Sequence, residues 1–168
     1  MKNWLPLIDL IQENNFKKIA EIGVHKAKTT RHILNSCADV IEEYWAIDPY
    51  TPFEQMSADW DTLYKYACSF MTRYSQLRVM RLTSAEAAPL FPKQYFDLVF
   101  IDADHSYDAI KEDIYLWKPL VKKGGILSGH DYRAGGEFPL WGVKVAVDEI
   151  FDPREIETLS GRIFAVKM

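Results

Sequence analysis

Only two cysteines, Cys37 and Cys68, occur in the 168 residues, and neither belongs to a CxxC pair or another metal-binding spacing. A disulfide framework and a zinc ribbon are excluded on that count; two reduced, buried thiols in a cytoplasmic protein are expected instead. No apolar run approaches the roughly 20 residues that span a bilayer, and no secretory h-region opens the sequence, so no membrane partner is expected. Positive charge is not in excess: 20 Lys and Arg stand against 24 Asp and Glu, giving a net charge of −4. A nucleic-acid partner would call for a basic stripe, and none is present. Internal repeats, low-complexity tracts and linkers are also absent, so residues 1–168 read as one domain. The G-x-G-x-x-G spacing that cradles a pyrophosphate is missing too, which argues against a nicotinamide-dependent enzyme.

What is present is a run of alternating strand and helix signals. Trp4, Leu7, Ile8 and Ile11 recur at helical spacing behind a candidate cap at Asn3, with Asn14 and Asn15 closing the helix. Strands are expected at 18–23, 43–48, 77–82, 95–102 and 126–129, and a closing hairpin over 156–166 turns about Ser160 and Gly161. Helices are expected at 29–37, 58–74, 107–119 and 142–151, with a further one opening at Thr83-Ser84-Ala85-Glu86 and capped by Ser84. The Phe96–Ile101 stretch is apolar almost throughout, as a strand covered on both faces should be. This alternation implies an α/β, doubly wound, mostly parallel sheet with an antiparallel strand at one edge and helices on both faces.

In such a sheet, ligands bind beyond the carboxyl ends of the strands. The strand ends carry Glu21, Asp48, Asp102, Asp104, His105, His130 and Asp131. That many acids and imidazoles on one rim require something cationic among them, a ligand ammonium or a metal. Gly23 allows a sharp strand-to-helix turn, and an acid just before it suits a ligand bearing an ammonium group or hydroxyls rather than a phosphate. Asp48, ending the second strand, either hydrogen-bonds ribose hydroxyls or caps the turn before Pro49.

The stretch Glu21-Ile-Gly23-Val-His-Lys-Ala27-Lys-Thr29 resembles motif I of the class I S-adenosylmethionine-dependent methyltransferases. Ala27 stands where a glycine is common. Phe96-Asp-Leu-Val-Phe-Ile-Asp102-Ala-Asp104-His105-Ser-Tyr107 and Gly129-His130-Asp131-Tyr132 extend the likeness across nearly the whole chain. They are similar to the compact, metal-dependent catechol-type and caffeoyl-coenzyme-A-type O-methyltransferases. The resemblance implies a Rossmann-like seven-stranded fold and S-adenosylmethionine as cofactor. It implies Glu21, Gly23, Val24 and Thr29 around the methionine end, Asp48 at the ribose, Ser84 and Ala85 by the adenine, and Asp102 where cofactor and metal meet.

His130 and Asp131 occupy positions of metal ligands in that family. With Asp102 they would suit a divalent Mg, Mn or Zn ion, and an imidazole–carboxylate pairing without metal is the alternative. His105 stands where those enzymes carry a catalytic lysine. It would take the acceptor's proton, oriented by Asp104, unless the two residues only cap the following helix. The expected activity is O-methylation of a small hydroxylated molecule, with Tyr107, Tyr132 and Trp141 as walls for this methyl acceptor. The site is expected to be open or closed by a second copy in a homo-oligomer. A cofactor-binding protein that transfers no methyl group is the rival reading.

Overall fold

The computed structural model describes residues 4–52, 58–133, 142–160 and 162–168. The expected cap Asn3, Gly135, Gly136, Pro139, Trp141 and Gly161 lie outside the described residues. Among the described residues, seven strands form one sheet in the order β3-β2-β1-β4-β5-β7-β6. They are β1 (Lys18–Ile22), β2 (Glu43–Ile47), β3 (Leu77–Met80), β4 (Phe96–Ile101), β5 (Val121–Gly129), β6 (Ile156–Leu159) and β7 (Ile163–Lys167). β1 to β5 are mutually parallel, and β7 runs antiparallel to both β5 and β6. The reversed strand therefore lies one place in from the edge, and β6 extends the sheet beyond it.

Helices α1 (Trp4–Asn14), α2 (Lys28–Cys37) and α3 (Trp60–Ser69) belong to one core; α4 (Ser84–Ala87), α5 (Tyr107–Trp117) and α6 (Gly142–Ile150) belong to the other. Alternate strand residues are shared out accordingly. Ile19, Leu98 and Phe100 face the first core; Ala20, Val99 and Ile101 face the second. On α5, Ile110, Ile114 and Trp117 follow helical spacing and are all buried. Each such side chain contributes about 1.5–3 kcal/mol by leaving water. Among the described residues no helix is long and apolar enough to cross a membrane.

Three local expectations change. Thr83, not Ser84, caps α4: its hydroxyl accepts from the Glu86 amide while the Glu86 carboxylate accepts from the Thr83 amide. This reciprocal box satisfies two backbone donors at once, which Ser84 one position later could not do. Gly124 and Gly125 lie within β5 instead of preceding it, because they occupy an irregularity in its register with β4, where glycine is at home. The inserted helix runs only over Trp60–Ser69, capped by Asp59, and gives way to a 3-10 turn at Phe70–Thr72.

The strand order reverses between the adjacent, parallel β1 and β4: from β1 the chain winds outward through β2 to β3, and from β4 it winds the other way through β5. A crevice opens at that point beyond the carboxyl ends.

Candidate active site

Gly23 follows β1 with φ +89°, and a Cβ added there would stand 2.3 Å from the Asp102 carbonyl oxygen. The end of β4 is thus pressed directly against the first turn, which only glycine permits. The chain then passes through His25 and Ala27, both at positive φ, before α2 begins. Asp48 holds this loop: its Oδ2 accepts from the Val24 and His25 amides at 2.9 and 2.8 Å, and its Oδ1 accepts from the Tyr50 amide at 2.7 Å. The Tyr50 bond is the Asx turn expected before Pro49. Three of its roughly four acceptor positions are filled by backbone, leaving one for a ligand hydroxyl.

Glu21 points into the protein and is almost wholly buried. Thr30 Oγ1 and Tyr44 OH donate to its Oε2 at 2.5 and 2.7 Å. Burial pushes its carboxyl up to about 8, against the opposing pull of those two hydrogen bonds. Thr30 is a partner that sequence reasoning missed, although its place in the first turn of α2, beside the expected Thr29, was the available signal. A cavity of about 370 Å³ follows, walled by Glu21, Gly23, Val24, Thr29, Asp102 and His105, with Trp4, Lys26 and Lys28 also in its lining.

The second corner is built by the ends of β4 and β5. Asp102 follows β4, while His130 and Asp131 follow β5, Asp131 at φ 56°. Asp102 Oδ1 lies 3.3 Å from His105 Nε2 and 3.4 Å from His130 Nδ1. The other nitrogen of His105, Nδ1, faces Asp131 Oδ2 at 3.2 Å. Burial would raise the Asp102 carboxyl, but the two imidazoles outweigh it and hold the group below its ordinary value. Burial would likewise lower the His105 imidazole, yet the Asp102 and Asp131 carboxylates prevail and raise it above 6.5.

Asp104 does not reach the His105 ring. It is exposed and accepts from the Ser106 amide at 2.8 Å, so the carboxylates that orient His105 are Asp102 and Asp131. Arg162, from the β6–β7 turn, approaches Asp131 Oδ1 at 3.7 Å. Nothing in the local sequence marks it, because only the hairpin fold brings it to this rim.

Ser84 and Ala85 are not among the walls of the cavity. The Ser84 hydroxyl donates to buried Asp113 and accepts from Trp117 Nε1 at 2.8 Å, tying α4 to α5. Tyr107 OH donates to Glu149 and Tyr132 OH to Asp148, so these two of the three expected acceptor walls are anchored on α6.

An open sheet with a nucleoside-sized crevice at its switch point, a buried acid beneath a glycine turn, and a polar corner opening on the same cavity define a class I S-adenosylmethionine-dependent methyltransferase. The family model described as "Methyltransferase domain" matches residues 20–132, and the chain belongs to that family. No curated protein matches. Among solved structures it is similar to a Staphylococcus aureus protein assigned as a caffeoyl-CoA O-methyltransferase (19% identity, 99% of this chain and 83% of that one covered, TM-score 0.70). It is similar also to an O-methyltransferase from Bacillus cereus in complex with SAH (16%, 99% and 80%, TM-score 0.69). A third is an SAH-bound methyltransferase from Podospora anserina (12%, 98% and 77%, TM-score 0.69).

Proposed function

We propose that this protein moves the methyl group of S-adenosylmethionine to a hydroxyl oxygen of a small acceptor lying against Asp102, His105 and His130. One observation carries this reading: Asp102 and His105 wall the same cavity as the Glu21–Gly23 turn, so cofactor and acceptor corners are continuous. Methyl transfer is an in-line displacement whose rate depends chiefly on such positioning. When bound, S-adenosylmethionine supplies an electrophilic methyl on a positively charged sulfur. Glu21, relieved of its unfavourable burial by an ammonium group, would hold the methionine end with the Gly23 and Val24 backbone and Thr29. Asp48 would offer its remaining acceptor position to the ribose. Ser84 and Ala85 would border the adenine through backbone groups, since the Ser84 hydroxyl is already engaged with Asp113 and Trp117.

The acceptor hydroxyl must lose its proton as the methyl arrives. A corner of this composition achieves that in one of two ways, by an imidazole base at His105 or by a divalent ion. The geometry at His105 favours the ion, because both ring nitrogens already face carboxylates and neither is free toward an acceptor. The test is incubation with methyl-labelled S-adenosylmethionine and a panel of small phenols, catechols and hydroxy acids. Label on an acceptor oxygen with matching S-adenosylhomocysteine is the expected result. A protein that binds S-adenosylhomocysteine, yields no product with any acceptor and is indifferent to His105→Ala is the cofactor-binding rival.

A further inference from the structure

We propose that Asp102, His105 and His130 form a three-ligand site for a dication of the Zn²⁺ type, with Asp131 outside the shell orienting His105. This assigns His105 as a ligand and Asp131 as its support, and so departs from the set of Asp102, His130 and Asp131 that the sequence suggested. It deepens the reading of the acceptor corner and rests on the same site.

The separations carry the argument. One atom of each of the three side chains lies within 4.8 Å of the others, all three residues are partly exposed, and Asp102 and His105 line the crevice. The two contacts to Asp102 Oδ1, 3.3 and 3.4 Å, are long for charge-assisted hydrogen bonds, which run about 2.7–2.9 Å. Ligands held about 2.0–2.1 Å from an ion at tetrahedral or octahedral angles stand roughly 2.9–3.4 Å apart. The two edges that meet at Asp102 Oδ1 have the spacing of a coordination shell.

The donors then select the ion. Two imidazole nitrogens and one carboxylate oxygen suit Zn²⁺ and its neighbours, whereas Mg²⁺ favours oxygen alone. The support is present as well: a ligating histidine characteristically gives its other ring N–H to a carboxylate, and His105 Nδ1 faces Asp131 at 3.2 Å. A dication would face the Asp102 carboxylate directly, while Asp131 lies between His105 and Arg162. A bound dication would supply Lewis-acid stabilisation of an alkoxide.

The experiment uses the full chain, stripped by chelator, with neither cofactor nor acceptor. Co²⁺ is titrated and read by its visible absorption, and Zn²⁺ affinity is measured by competition with a chromophoric chelator. One equivalent of each is expected, with no displacement by millimolar Mg²⁺. His105→Ala and His130→Ala each remove a ligand and should weaken binding by well over about a hundredfold, whereas Asp131→Asn should cost about ten- to a hundredfold, the range for an outer-shell partner. Thermal melts of each variant confirm folding. If His105→Ala does not fold, movement of the His105 and His130 ring-proton resonances of the wild type on adding Zn²⁺ gives the same readout without substitution. Wild-type affinity in His105→Ala, or a still His105 resonance, overturns the proposal. So does a loss in Asp131→Asn as large as that in His130→Ala, or a folded wild type that takes up neither metal. Because cofactor is absent, failure here leaves the methyl-transfer reading intact, and a failure of methyl transfer leaves metal uptake intact.

Discussion

Gly23 tests how tightly the two halves of the site are joined. Its positive φ and the 2.3 Å approach of the Asp102 carbonyl mean that Gly23→Ala must both strain the turn and push β4 away. We expect a loss of about 2 kcal/mol or more in denaturant unfolding. A midpoint close to wild type would show that the turn and β4 are not in contact. At His105, the raised pKa means that the imidazole gives stability fully present below 6.5 and lost as pH rises through its folded value. The same protonation removes the lone pair with which His105 would bind a metal ion, so metal uptake should strengthen as pH rises past that value, and uptake indifferent to pH would contradict the assignment. Of the residues involved, Glu21, Gly23, Asp102, His105, His130 and Asp131 were legible from sequence because each lies at or just beyond the carboxyl end of a recognisable strand. Their partners were not. Thr30 and Tyr44 meet Glu21 from two different elements, and Arg162 meets Asp131 from a distant hairpin.

Among the described α-helices, α4 is the shortest and depends most on its ends. Thr83→Ala removes the hydroxyl half of the capping box and should cost about 1 kcal/mol, read as a lowered unfolding midpoint. Ser84→Ala acts differently, since it leaves the Asp113 carboxylate and the Trp117 indole without their shared partner. The sequence showed that a helix began at this point, yet two adjacent hydroxyl residues left its cap ambiguous by one position. Glycine likewise reads as a turn whether it ends a strand or sits in an irregularity of one. Only the pairing of β5 with β4 settled Gly124 and Gly125. The strand order was legible in class and not in detail: period and length gave a parallel sheet, while the place of β7 inside β6 depends on long-range pairing.

For the whole molecule, the buried Glu21 links stability, pH and ligand. Its folded pKa of about 8 lies above the ordinary 4.5, so the folded state holds a proton that the unfolded state gives up between those values. The contribution is fully present below 4.5 and is lost as pH rises through about 8, a change on the order of a few kcal/mol. Glu21→Gln should flatten that part of the stability curve and leave the variant more stable than wild type at pH 9 without ligand. An unchanged slope would remove Glu21 from the account. A ligand ammonium reverses the balance by making the carboxylate worth ionising, so the same substitution that stabilises the empty protein should weaken the complex.

The most direct measurement is calorimetric titration of wild type and Glu21→Gln with S-adenosylmethionine and S-adenosylhomocysteine at pH 7. Saturable binding at one site per chain is expected, weakened at least about tenfold by the substitution and accompanied by proton release that the variant lacks. Absence of binding to a folded wild type, or equal affinity in both proteins, would contradict it.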